Sequence, residues 1–183
     1  DIGVDQIKKR IEKHIRITGN KPLVIIDYLQ ILAPYDVRAT DKQNMDKAVV
    51  ELKRASRDFD IPILVISSFN RENYTSPVNL QSFKESGAIE YTSDVLMALQ
   101  YKGMDFQRNE NGKYEDEKSR VARIIQLKNE QEKIAEVPGK FQDIQVKVLK
   151  NRNGRKGSAD MNFCPMFNYF RATEKTKTEW IEK

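Results

Sequence analysis

Val4, Ile7, Ile11 and Ile15 recur at three- and four-residue spacing, which places them on one face of an α-helix. A helix is therefore expected over residues 5–17, with Gly19-Asn20 ending it. Pro22-Leu23-Val24-Ile25-Ile26-Asp27 is a short apolar run closed by a carboxylate, the pattern of a buried parallel strand. Met45, Ala48, Val49, Leu52 and Ala55 line one face of a second helix, expected over roughly 41–59. Residues 61–67 predict a second buried strand, 85–90 a short helical turn and 94–101 a third strand. Residues 115–137 read as a helix, with a pair of short strands as the alternative. Residues 143–150 alternate into a strand, Asn153-Gly154 centres a hairpin turn over 151–156, and 158–163 and 168–172 read as strands of period two. Helix–strand–helix–strand order implies a parallel sheet with right-handed crossovers. The later hairpin adds antiparallel strands at one edge, so the expected class is an α/β sandwich with a mixed sheet.

Composition narrows the class. Over 183 residues, 39% hydrophobic content beside 32% charged excludes collagen, low-complexity sequence and wholesale disorder. No apolar stretch approaches the ~20 residues of a membrane span, and Asp1–Asp5 has neither the basic start nor the apolar run of a signal peptide. With Cys164 alone, neither an internal disulfide nor a four-cysteine zinc site can form. The expectation is one domain or slightly more of a soluble intracellular protein. The chain opens without Met, directly in a helical pattern, and so reads as a piece of something longer.

The net charge of +5 points mildly to an anionic partner, but its distribution says more. Residues 101–140 hold nine basic and eight acidic side chains, whereas 145–157 hold five basic ones and no acidic one. Lys150 and Arg152, two apart, would share a face of the hairpin and could reach a phosphate outside the subunit, Arg152 bidentately. The plain alternative is a solvated basic turn. Asp27 ends an apolar strand, where ligands of open parallel sheets bind, and could hold Mg²⁺ through water. A helix cap or surface turn is the competing reading. Ser67 ends the next strand and would lie at the same edge, or at an ordinary strand-to-loop junction. His14, the single histidine, reads as a surface or packed imidazole. No Gly-x-x-x-x-Gly-Lys-Ser/Thr occurs, so this sequence carries no P-loop to cradle phosphates.

Taken together, Val24-Ile25-Ile26-Asp27-Tyr28-Leu29-Gln30, Glu85-Ser86-Gly87-Ala88-Ile89-Glu90 with Asp94 after it, and Lys150-Asn151-Arg152-Asn153-Gly154 resemble, in order, the Walker B segment, the loop after the sensor strand and the Lys-x-Arg-Asn-Gly hairpin of DnaB-type replicative helicases. The resemblance covers about residues 1–172. It implies a RecA-like P-loop NTPase fold, truncated, with a mainly parallel sheet flanked by helices and an appended antiparallel C-terminal hairpin. It implies a ring, usually hexameric, that unwinds DNA with ATP or another nucleoside triphosphate and Mg²⁺. In that frame Asp27 organises Mg²⁺, Ser67 and Ser68 contact nucleotide, and Lys150 and Arg152 reach a neighbour's nucleotide, Arg152 as arginine finger. Lys84, Glu85 and Gly87 face single-stranded DNA.

Primase and a helicase loader are implied partners, a membrane is not, and the location is the cytoplasm, for a protein that is bacterial or phage-encoded. Residues 1–173 would then be the C-terminal portion of the ATPase domain, with a charged insertion at about 103–140 and a charged tail at 174–183. The P-loop and catalytic glutamate would lie upstream, leaving this piece inactive alone. Three departures stand out. Ser68 replaces the family's glutamine and is too short to reach the same place, Lys84 replaces an arginine, and 103–140 is longer than the family's loop. A non-catalytic RecA-fold assembly or DNA-binding subunit is the alternative reading.

Overall fold

The computed structural model describes residues 2–70, 76–83, 86–108 and 111–173. Its contacts divide the chain into two compact units, Asp1–Asn70 with Leu80–Ser93, and Arg71–Asn79 with Asp94–Lys183.

The first unit is built on two helices and a parallel strand pair. α1 (Val4–Thr18) starts where Gln6 Oε1 accepts the Gly3 N–H at 3.0 Å and stops at Gly19, whose φ of 70° favours glycine. α2 (Asp41–Asp58) opens with a capping box: Thr40 Oγ1 accepts from the Gln43 N–H, and Gln43 Oε1 accepts from the Thr40 N–H. β1 (Val24–Ile26) and β2 (Ile63–Val65) pair in parallel with Ile25 opposite Leu64. Val4, Ile11, Ile26, Leu29, Leu52, Ala55 and Ile61 form the core. The sequence predicts strands buried on both faces. Ile26 is buried, but Ile25 and Leu64 are 59% and 44% exposed. The described residues of this unit layer one face of the pair, whereas parallel strands ordinarily have both covered. α3 (Ser86–Thr92) closes the unit.

The second unit is an antiparallel sheet ordered β3-β4-β5-β6, from Val95–Tyr101, Gln142–Asn151, Gly157–Cys164 and Tyr169–Ala172. The α/β class holds, but β3 pairs antiparallel with β4 instead of joining the β1–β2 pair. Among the described residues the expected mixed sheet is therefore two sheets. An amide chain crosses this sheet. Gln100 accepts from the Val78 N–H and donates to Gln145, and Gln145 donates to Asp160, which also pairs with Lys102. Each buried amide thus has partners, as burial demands.

α4 (Glu117–Ala135) settles the 115–137 alternative in favour of helix. Asp116 caps it by accepting the Ser119 N–H at 2.8 Å. Arg123 on α4 gathers the preceding loop: it binds both oxygens of Glu115 and the carbonyls of Gly103 and Phe106. Met104 is buried in that loop, so part of the charged segment is a built structure.

Candidate nucleotide site and nucleic-acid loop

Asp27 follows β1 directly and is exposed. Its carboxylate makes no hydrogen bond or ion pair among the described residues, so neither it nor any cap role occupies its lone pairs. The Asp27–Tyr28 peptide is cis. Beyond the ladder the two strand exits remain joined: the Ile66 N–H donates to Ile26 O at 3.0 Å and the Leu29 N–H to Ile66 O at 2.8 Å. Gln30 then bridges to the β2 exit, with Nε2 donating to Ser67 Oγ at 2.9 Å and Oε1 accepting the Ser68 N–H at 3.3 Å. Asp27, Ser67 and Ser68 thus lie at one end of one parallel pair.

The described residues hold no group of three or more His, Cys, Asp or Glu side chains able to cage a metal. A lone carboxylate suits Mg²⁺, which is commonly held by one or two carboxylates, waters and substrate phosphates. The residues present therefore fit a nucleotide-borne Mg²⁺ and not a dedicated protein-only site.

Lys150 and Arg152 lie in the second unit. A bulge at Leu149 shifts the β3–β4 register, so that Leu96 faces Lys150 while Met97 faces Val148. The Arg152 N–H donates to Asp94 O at 2.9 Å, extending the pairing by one step past the ladder. Lys150 opposite 96 and Arg152 opposite 94 therefore share a face, as their spacing predicts. Arg152 Nη1 stands 3.4 Å from the Asp94 carboxylate, both side chains 48% exposed.

The hairpin differs from the tight Asn153-Gly154 turn expected. Strands end at Asn151 and resume at Gly157, and neither Asn153 nor Gly154 takes a positive φ. Asn151 organises the loop, its Oδ1 accepting the Asn153 N–H and its Nδ2 donating to Arg155 O. Gly154 is needed for that close approach, since a Cβ there would lie 2.6 Å from Asn151 Nδ2.

Lys84 and Glu85 lie outside the described residues, as does Trp180. Gly87 sits in the first turn of α3, and a Cβ there would meet nothing within 4 Å. His14 is exposed on α1. Sequence reasoning assigned no role to Gln30 or Asp94. Both stand inside or beside the quoted motifs, but their partners are remote in sequence.

A parallel pair ending in a carboxylate, together with an antiparallel sheet that carries a basic hairpin, matches the fold of RecA-like ATPase domains. A solved DnaB-like replicative helicase, described with its interactions with primase, matches with a TM-score of 0.69 at 19% identity, over 94% of this chain and 35% of that one. A second solved ATPase domain matches at the same TM-score, over 52% of its length. The family model described as DnaB-like helicase C terminal domain matches residues 1–172, and the chain belongs to that family. The replicative DNA helicase DnaB of Helicobacter pylori is 29% identical over 179 residues, 92% of this chain and 36% of the relative. A probable replicative DNA helicase of Trieres chinensis is 26% identical over 146 residues, covering 77% of this chain and 31% of the relative. The chain spans about a third of the length of these curated relatives. No described helix is long and apolar enough to cross a membrane.

Proposed function

We propose that this chain serves as part of the ATPase domain of a replicative DNA helicase, one that moves along single-stranded DNA as a ring and unwinds duplex using ATP or another nucleoside triphosphate with Mg²⁺. One observation carries the reading: the unpaired Asp27 carboxylate stands at the end of β1 beside the Ser67–Ser68 exit of its parallel neighbour. Ligands of such sheets bind at the carboxyl ends of strands.

In this reading Asp27 orients a Mg²⁺-bound nucleotide, and Ser67 and Ser68 present small polar groups toward its phosphates. When bound, Mg²⁺ neutralises charge developing on the phosphates. Lys150 and Arg152 project from one face of the β4–β5 hairpin toward the nucleotide of the neighbouring subunit. A cation supplied in trans stabilises the transferred phosphoryl only in the assembled ring, which ties hydrolysis to assembly. Lys84, Glu85 and Gly87 form the DNA-facing loop, where a cation and backbone N–H groups suit sequence-independent gripping of the phosphate backbone.

Residues 1–173 are then the C-terminal portion of the ATPase domain, 103–140 a charged insertion and 174–183 a charged tail. The exposed Ile25 and Leu64 face suits cover by further parts of that domain. A primase and a loader are partners in this reading, and a hexamer the natural ring.

The second reading, a non-catalytic assembly subunit, is favoured by Ser68, which is shorter than the glutamine of the family motif. Asp27→Asn in the full-length protein separates the two. The helicase reading expects loss of most Mg²⁺-dependent hydrolysis with an unchanged melting profile. Normal hydrolysis by the variant would make Asp27 structural.

A further inference from the structure

Gln30 is placed to do more than decorate a turn. It lies three residues past Asp27, on the 3₁₀ turn Leu29–Ile31, and Leu29 anchors that turn at 2% exposure. A primary amide carries donors and an acceptor on one planar head. Here both ends engage successive residues of the opposite strand exit: Nε2 donates to Ser67 Oγ at 2.9 Å, and Oε1 accepts the Ser68 N–H at 3.3 Å. The backbone bond from Leu29 N–H to Ile66 O, at 2.8 Å, lies one residue earlier on each side. Three consecutive links therefore bind the segment leaving β1 to the segment leaving β2. The last two pass through one half-buried side chain, where competition from water is reduced.

The chemistry of the link selects glutamine. A glutamate would offer only acceptors and add a second negative charge three residues from Asp27. Methionine would fill a similar volume and make neither bond. A serine or alanine would not span the gap between the two exits.

We propose that Gln30 is a positioning residue. It couples the Asp27 carboxylate to the Ser67–Ser68 exit, so that both strand ends meet the terminal phosphates of the nucleotide as one rigid unit. This rests on the reading of Asp27 as the metal-organising carboxylate. Such a link sets the alignment of reacting groups more than the affinity for nucleotide, and misplacement by about 1 Å can cost ~10²-fold in rate.

The test is a double-mutant cycle in the full-length ring, with steady-state nucleotide hydrolysis and thermal midpoint measured for Gln30→Met, Ser67→Ala and the pair. The expected result is a kcat lowered about tenfold in Gln30→Met, with KM within about twofold, the pattern of lost transition-state alignment. Ser67→Ala leaves the turn untouched and is expected to lower kcat severalfold. It keeps the test decisive should Gln30→Met melt early. The double variant is expected to lose less than the product of the two single losses, because both changes remove the same Gln30–Ser67 bond. Losses that multiply across the cycle, or a raised KM at unchanged kcat, overturn the proposal. Asp27→Asn runs beside them. If it hydrolyses normally, the functional reading itself fails. If it is inactive while Gln30→Met works at the parent rate, only the coupling role of Gln30 fails.

Discussion

Arg152 and Asp94 are joined twice: the Arg152 N–H donates to the Asp94 carbonyl at 2.9 Å, and the Arg152 guanidinium stands 3.4 Å from the Asp94 carboxylate. The backbone bond fixes where the hairpin begins. The ion pair, half-exposed on both sides, is of the kind worth about 0–1 kcal/mol, so a phosphate can compete for the guanidinium. Asp94→Asn keeps the backbone bond and removes the competing charge. Its thermal midpoint should stay within a few degrees of the parent, and hydrolysis by the assembled ring should persist. A collapse of the fold in Asp94→Asn, read by circular dichroism, would mean that the pair is structural instead.

The α1–α2 contact gives a pH dependence. The Lys8 ammonium hydrogen-bonds Glu51 and holds its carboxyl below the usual range, with Arg54 adding to the effect. A carboxyl with a lowered folded pKa contributes stability that is present above its unfolded value and is lost as pH falls through the folded one. Glu51→Gln should therefore lower the melting temperature near neutral pH, and the gap to the parent should close in acid. Melting curves from pH 7 down to 3 measure this, and a constant gap contradicts it.

Gly87 offers a separation of stability from function. Nothing lies within 4 Å of a Cβ built there, and its φ needs no glycine. Gly87→Ala should then be neutral or stabilising by up to about 1 kcal/mol. If DNA backbone approaches at Gly87, the same methyl group should weaken single-stranded DNA binding. Anisotropy titration of the full-length protein reads this, and unchanged affinity would remove Gly87 from the DNA-facing loop.

The 183-residue chain should not hydrolyse ATP by itself, because its sequence holds no P-loop motif. Magnesium-dependent turnover lost on Asp27→Ala would refute that expectation.

Much of the fold was legible from periodicity. α1 and α2 follow the spacing of Val4, Ile7 and Ile11 and of Ala48, Leu52 and Ala55, and β1 and β2 follow their apolar runs. Pairing was less legible. Val95–Tyr101 is apolar enough to pass for a parallel core strand, and only its register with Tyr101 opposite Ile144 places it in the antiparallel sheet. The hairpin loop was misjudged because Asn-Gly commonly marks a two-residue turn, whereas here Asn151 turns inward and the glycine makes room for it. At the candidate site, the strand-end position of Asp27 was readable from sequence. The Gln30 bridge was not, because it spans 37 residues and depends on parallel strands lying side by side.

The central claim is a site completed across subunits, and mixing tests it most directly. Full-length Arg152→Ala alone should lose hydrolysis by ~10³-fold while binding nucleotide within a few-fold of the parent, and Asp27→Asn alone should be nearly inactive. Mixed rings of the two should regain part of the activity, because some interfaces join an intact Asp27 to a neighbour's intact Arg152. Near-normal hydrolysis by Arg152→Ala, or mixtures no more active than their components, would contradict a trans-acting Arg152.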